Sequence, residues 1–157
     1  MLLVADTSPL ISLILIDRVA VLINLFPDFI LPNAVWDELN AHNRILSNLT
    51  QLNLISSHVR TVDASSIEWN YDIDIGEMEA IALYKQLHAD SLLIDDKVAR
   101  NYAESIGINC IGTLTLLYLA KKQNLIPLLK PEFDALRTNK RFYSEILFNY
   151  FLKMSEE

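Results

Sequence analysis

Three short apolar runs stop abruptly, two of them at Asp, and they constrain the fold more than any other feature of the chain. Leu2-Leu3-Val4-Ala5 runs into Asp6, Leu92-Leu93-Ile94 into Asp95 and Asp96, and Ile108 to Ile111 into Gly112-Thr113. Runs this short and this continuous suit strands buried on both faces, the pattern of a parallel sheet. The stretches between them read as helices. Ser8 to Phe26 is expected to be helix in two pieces around Asp17, with Asp17 capping the second. Phe29-Ile30-Leu31 is expected to be a strand stopped by Pro32. Asn33 then caps a helix carrying Val35 and Leu39 and, further on, Ile45 and Leu46. His58 to Val62 is expected as a small strand, and Asp63 to Ile75 as one long loop. Gly76 to His88 places Ala80, Ile81, Tyr84 and Leu87 on one helical face. Lys97 to Ile106 is a helix closed by Gly107, Thr113 to Gln123 is another, and two more follow Pro131. Strand and helix alternating at this spacing predict right-handed crossovers and a three-layer α/β/α fold with a central parallel sheet. The 157 residues make one domain, with a core over about 1–120 and a helical C-terminal extension over about 121–157.

An open parallel sheet binds its ligands beyond the carboxyl ends of its strands. That rule gathers Asp6, Asp95 and Asp96 at one edge. Two more sources of carboxylate adjoin it. Glu38 lies on the helix after the second strand, and Glu77 and Glu79 open the helix that leads to the strand before Asp95. Each acid has an ordinary reading of its own: Asp at a strand end forms turns and caps, and Glu in a first helical turn suits the dipole. Asp37, Asp72 and Asp74 are assigned to the surface. Carboxylates converging in one cleft repel one another, and some must protonate unless a cation joins them. Mg²⁺ or Mn²⁺ suits an all-oxygen donor set, and its usual purpose there is phosphate chemistry. His42, His58 and His88 are scattered, and Cys110 is the one cysteine. A cysteine-based zinc cluster and an intrachain disulfide are therefore excluded, which fits a cytoplasmic home. The apolar stretches are too short to span a membrane, and Met1-Leu2-Leu3-Val4 lacks the basic start of a secretory signal.

The net charge of −7 argues weakly against a polyanionic partner, but its distribution is uneven. Up to Arg100 the chain carries 14 acidic and 6 basic residues; from Asn101 onward it carries 6 and 7. Lys121, Lys122, Lys130, Arg137, Lys140 and Arg141 form a basic C-terminal cluster that could hold a phosphate backbone or could be a solvated helix face. Phe142, Tyr143, Phe148, Tyr150 and Phe151 suit a helix burying one face or a dimer contact.

In order, Val4-Ala5-Asp6-Thr7-Ser8, Leu31-Pro32-Asn33-Ala34-Val35-Trp36-Asp37-Glu38-Leu39, Gly76-Glu77-Met78-Glu79-Ala80-Ile81-Ala82-Leu83 and Leu92-Leu93-Ile94-Asp95-Asp96 resemble the PIN domain, the nuclease fold of VapC-type toxins. The Gly-Glu-x-Glu-Ala-Ile helix and the double Asp look like a prokaryotic PIN subgroup, and Gly112-Thr113 also fits. The match runs to about Leu119, and the remainder is similar to that subgroup's helical tail. The resemblance implies a Mg²⁺- or Mn²⁺-dependent ribonuclease whose metal-holding acids are Asp6, Glu38, Glu77 and Asp95. Glu77 is preferred to Glu79 because its distance to Asp95 suits the family's spacing, although the family usually has Asp there. Asp96 is a cap or alternate ligand. Ser8 and Thr113 are candidate hydroxyls for orienting carboxylates or water, with a helix-cap role preferred for Thr113. Lys121, Lys122, Arg137, Lys140 and Arg141 are candidate RNA contacts. The resemblance further implies a toxin held by a cognate antitoxin, and a homodimer.

Three other readings compete. A nuclease-like fold without activity would serve as a binding or regulatory module. A phosphatase of the haloacid dehalogenase type needs Asp-x-Asp, and Ser8 stands at the third position. A response-regulator receiver opens with its acidic pair, whereas Asp95-Asp96 comes too late for the rest of that domain to follow.

Overall fold

The computed structural model describes residues 1–157, apart from the side chains of Asn43 and Leu46. The expected role of Leu46 therefore lies outside the described residues. In chain order the elements are β1 (Leu3–Ala5), α1 (Thr7–Leu15), α2 (Val19–Leu25), β2 (Leu31–Pro32), α3 (Asn33–Ala41), α4 (Asn43–Leu46), α5 (Leu49–Asn53), β3 (Val59–Arg60), α6 (Ile75–Leu87), β4 (Ser91–Leu93), α7 (Lys97–Ser105), β5 (Cys110–Ile111), α8 (Thr113–Lys122), α9 (Lys130–Thr138) and α10 (Glu145–Met154).

β1 pairs with β4 and β4 with β5, all parallel, and β2 pairs with β3 in parallel. A parallel bridge between Val4 and Ile30 joins the two sheets edge to edge, so the strands run β3-β2-β1-β4-β5 across the molecule. The chain moves outward from β1 to one side, then returns to fill the other through β4. The order thus reverses between β1 and β4, and a crevice opens there at the carboxyl ends of the strands. Asp6 follows β1 directly, and Asp95 and Asp96 follow β4.

The alternation of side chains along each strand builds the three layers. Leu3, Ala5 and Leu93 point into one core with Leu10, Leu13, Val35, Leu39, Leu117, Phe133 and Phe148. Val4, Leu92 and Ile94 point into the opposite core with Met78, Ala80, Ile81, Leu83, Ala99 and Ala103. Phe133, Leu136 and Phe148 are buried, so α9 and α10 complete the first core.

Some local expectations differ. Asp17 takes a left-handed conformation, φ 56°, and Arg18 rather than Asp17 occupies the N-cap of α2. The Asp17 carboxylate instead accepts from Asn48 Nδ2 at 2.7 Å, bracing α5 against the α1–α2 corner. Pro32 lies inside β2 and occupies the N-cap of α3, so Asn33 is the first helical residue and not the cap. The expected loop from Asp63 contains a turn of 3₁₀ helix at Ala64–Ser66, where the Asp63 side chain accepts from Ser65 N at 3.0 Å. Gly107 at φ +85° ends α7 as expected. No helix among the described residues is long and apolar enough to cross a membrane.

Candidate functional site

The crevice at the strand reversal holds two adjoining cavities. One, of about 160 Å³, is lined by Asp6, Thr7, Ser8, Ile11, Glu38, Asp74 and Glu77. The other, of about 410 Å³, is lined by Ser8, Glu77, Asp95, Asp96, Arg141, Phe142 and Tyr143. Ser8 and Glu77 belong to both. The four acids singled out from the sequence, Asp6, Glu38, Glu77 and Asp95, thus ring one cleft. Asp74, expected at the surface, joins its rim.

Each carboxylate is held differently. Asp6 is 2 % exposed at the N-cap of α1 and makes no capping hydrogen bond with its side chain. Burial pushes its carboxyl up to about 8; the Thr7 and Ser8 amides pull it down, and the charges of Glu77 and Glu38 push it up. Glu38 is exposed on α3 and receives the Thr7 hydroxyl at 2.5 Å. Its carboxylate lies over Gly76, where a Cβ would come within 3.1 Å of Glu38 Cδ and 3.3 Å of Oε2. Glu77 is half-buried in the first turn of α6 and closes a capping box with Asp74, whose amide donates to Glu77 Oε2 at 3.2 Å. Burial pushes Glu77 up to about 7; the Asp74 amide lowers it, and the charges of Asp96, Asp74 and Glu38 raise it further.

Asp95 receives three donors: Thr113 N at 2.8 Å, Thr113 Oγ1 at 2.7 Å and the Tyr143 hydroxyl at 2.8 Å. Gly112 gives it room, since a Cβ there would sit 3.0 Å from Asp95 Oδ1 and 2.8 Å from Arg100 Nη2. Two of the chain's three glycines therefore make space for a cleft carboxylate. Thr113 is the first residue of α8, and Gly112, not Thr113, holds the N-cap. The hydroxyl is engaged with Asp95 instead. Asp96 caps α7, its Oδ1 accepting from Ala99 N at 2.9 Å.

Glu77 and Glu79 diverge, as residues two apart on a helix must. Glu79 faces away from the cleft and accepts from Ala34 N at 3.0 Å, satisfying the amino end of α3. Ser8 orients no carboxylate: its hydroxyl accepts from Arg141 Nη2 at 2.6 Å.

Among the basic candidates, Arg141 alone lines the acid-bearing cavities. Lys121 pairs with Glu157, and Arg137 with Asp134 and Glu145. Lys122 lies over the Tyr118 ring, 5.7 Å from its centroid. Lys140 is exposed with a left-handed φ of 58°.

Two contributors escaped the sequence reading. Thr7 carried its signal beside Asp6, in Asp6-Thr7-Ser8. Tyr143 carried none, since 48 residues separate it from Asp95. Its hydroxyl also meets Ser12 Oγ at 2.8 Å, tying the segment before α10 to α1 and to the cleft at once.

The donor set suits a hard divalent cation. It is all oxygen, and none of the ion pairs among the described residues neutralises Asp6, Glu38, Glu77, Asp95 or Asp96. Burial first, and then the neighbouring acidic charges, raise the carboxyls of Asp6 and Glu77, and a cation would relieve the second of these. The acids ring the cleft without closing on one point: no group of three or more His, Cys, Asp or Glu among the described residues is drawn tightly enough to enclose an ion.

Comparison with known proteins agrees with this arrangement. A family model described as a PIN domain matches residues 2–157. No curated protein and no solved structure matches the chain. A parallel sheet with acids at its strand reversal, and a family match over nearly the whole length, lead to one conclusion: the chain belongs to the PIN-domain family.

Proposed function

We propose that this protein is a Mg²⁺- or Mn²⁺-dependent endoribonuclease that hydrolyses RNA phosphodiester bonds. PIN domains are typically nucleases that bind nucleic acid and generally use divalent metals. The observation that carries the reading is the un-neutralised carboxylate ring at the strand reversal, drawn from four sequence-distant elements. In this reading Asp6, Glu38, Glu77 and Asp95 hold one or two ions, with Asp96 and Glu79 as structural acids at helix ends. When bound, the ions supply Lewis-acid charge that acidifies water and neutralises a phosphodiester and its leaving oxygen.

The chain's own residues fix the geometry. Thr7 holds Glu38, while Thr113 and Tyr143 orient Asp95 from two directions. Hydroxyl partners of this kind keep a carboxylate in one rotamer and are worth about 10–100-fold in metal affinity or activity. Burial of Asp6 places it in a less polar setting than the exposed Glu38 opposite, where a bound charge is felt more strongly.

The resemblance to VapC-type toxins extends the reading to a cytoplasmic toxin with a cognate antitoxin and a homodimeric state. The stripe of Ile146, Tyr150 and Met154, each at least half exposed at four-residue spacing, supports a covered face along α10. The spread of the acids favours the second reading, an inactive binding module.

Cleavage of a mixed RNA pool in Mn²⁺, Mg²⁺ and EDTA tests the choice. Metal-dependent cutting is expected. Absence of both cutting and Mn²⁺ binding by calorimetry would favour the inactive module. The assignment of the third acid has its own check. Glu77→Gln is expected to lose Mn²⁺ affinity and cleavage with the fold intact. Glu79→Ala, which removes the acceptor for Ala34 N, should cost about 1 kcal/mol of stability, the scale of a lost helix-start acceptor, and leave cleavage in place. The reverse pattern would exchange the two residues.

A further inference from the structure

The segment between α9 and α10 brings a cation and an aromatic ring to the acid cleft, and neither is needed to hold metal. Arg141 N donates to Leu136 O at 2.9 Å and ends α9. Its guanidinium then reaches α1, with Nε donating to Ser12 Oγ at 2.9 Å, and Nη2 to Ser8 O at 3.0 Å and Ser8 Oγ at 2.6 Å. All of these acceptors are neutral. With Glu77, Asp95 and Asp96 lining the same cavity, the guanidinium still forms no ion pair among the described residues, and Nη1 makes no hydrogen bond. Arg141 is the one cation that lines this cavity, and Ser8 and Ser12 hold it in place. With Nε and Nη2 engaged, Nη1 is the nitrogen left to donate to a phosphate oxygen. The next residue, Phe142, lines the same cavity and is 78 % exposed, whereas Tyr143 turns inward to Asp95.

The geometry points to a substrate clamp: Arg141 takes a phosphate of a single-stranded RNA, and Phe142 stacks on a base beside it. The inference rests on the nuclease reading and adds the two residues that seat its substrate. A phosphate seated between a cation and the carboxylate ring enters an otherwise repulsive cleft. An exposed ring at the mouth stacks on any unpaired base, and a base held in a duplex offers no free face to it.

The test uses the full chain in the Asp6→Asn background with Mg²⁺, which keeps the RNA whole. Anisotropy of a fluorescein-labelled single-stranded RNA is measured against the same RNA annealed to its complement. Phe142→Ala is expected to weaken single-strand binding by about 10-fold, the scale of one stacked base, with Phe142→Tyr restoring it. The salt dependence should stay the same. Arg141→Gln should weaken binding and lower the slope of log K against log salt by about 0.7, the value for one phosphate contact on a single strand. Duplex binding should be weak and indifferent to residue 142. Equal single-strand affinity in wild type, Phe142→Ala and Arg141→Gln would overturn the clamp, and so would a Phe142→Ala effect confined to oligomeric state. Mn²⁺-dependent cleavage with an unchanged KM in both variants, on the Asp6 background, would overturn the clamp and leave the nuclease reading standing. Failure of the nuclease reading shows separately, as no metal binding and no cutting by the wild type.

Discussion

Asp6→Asn is expected to raise the melting temperature of the metal-free protein at about pH 8 by roughly 5–10 °C, while lowering metal-dependent cleavage by about 10³-fold or more. The reason is protonation. The Asp6 carboxyl is pushed from 3.8 up to about 8 in the folded chain. Between those values the folded state holds a proton that the unfolded state has released. The stability tied to this group is fully present below 3.8 and is lost as pH rises through about 8. Each pKa unit corresponds to about 1.4 kcal/mol, so a neutral amide at this position recovers on the order of 3 kcal/mol near neutrality. Glu77, raised from 4.5 to about 7, slopes the wild type the same way and survives in the variant. The informative quantity is the difference between the two proteins. Thermal melts across acid to mildly alkaline pH in EDTA should show that difference opening as pH rises. Adding Mn²⁺ should close it, because an ion that binds the ionised folded site stabilises the wild type by mass action. Parallel wild-type and variant curves would mean that Asp6 is not strained by burial.

Gly76→Ala separates activity from stability in the other direction. The three atoms nearest a Cβ at residue 76 all belong to the Glu38 carboxylate, so the side chain that must move is the flexible end of Glu38. Displacing a positioned group by about 1 Å costs on the order of 10²-fold in rate. The helix itself should not suffer, since Ala is favoured over Gly within a helix by up to about 1 kcal/mol. Cleavage should therefore fall about 100-fold with an unchanged melting temperature. Glu38→Asp in the Gly76→Ala background, with its shorter arm, should recover part of the loss. Full activity in Gly76→Ala would show that Glu38 need not sit where it does.

The parallel sheet was legible because buried strands have no polar face to show. Leu3 to Ala5 and Leu92 to Ile94 are apolar on both sides, and their alternating side chains feed two separate cores. Short range also betrayed the separation of Glu77 from Glu79, since helical geometry alone points them apart. It misjudged Asp17, Asn33 and Thr113. A residue suited to capping says nothing about which neighbouring backbone takes the cap, and the α1–α2 corner, Pro32 and Gly112 took it instead. It set Asp74 on the surface, where the structure has it exposed, but gave no sign that this surface is the rim of the cleft beside Glu77.

By itself the sequence determined the α/β alternation, the family, and the gathering of Asp6, Glu38, Glu77 and Asp95 at one sheet edge. The alternation follows from periodicity and from where apolar runs stop, and the family and its acids follow from the ordered resemblance of four short motifs, all of them local properties of the chain. Only the tertiary structure decided how each acid is held. It buried Asp6, laid Glu38 over Gly76, gave Asp95 the hydroxyl of Tyr143, and turned Arg141 toward the cleft while its basic neighbours paired or faced solvent. Contacts between residues 48 to 133 positions apart depend on how helices pack across the sheet, and no pattern within a single segment carries them.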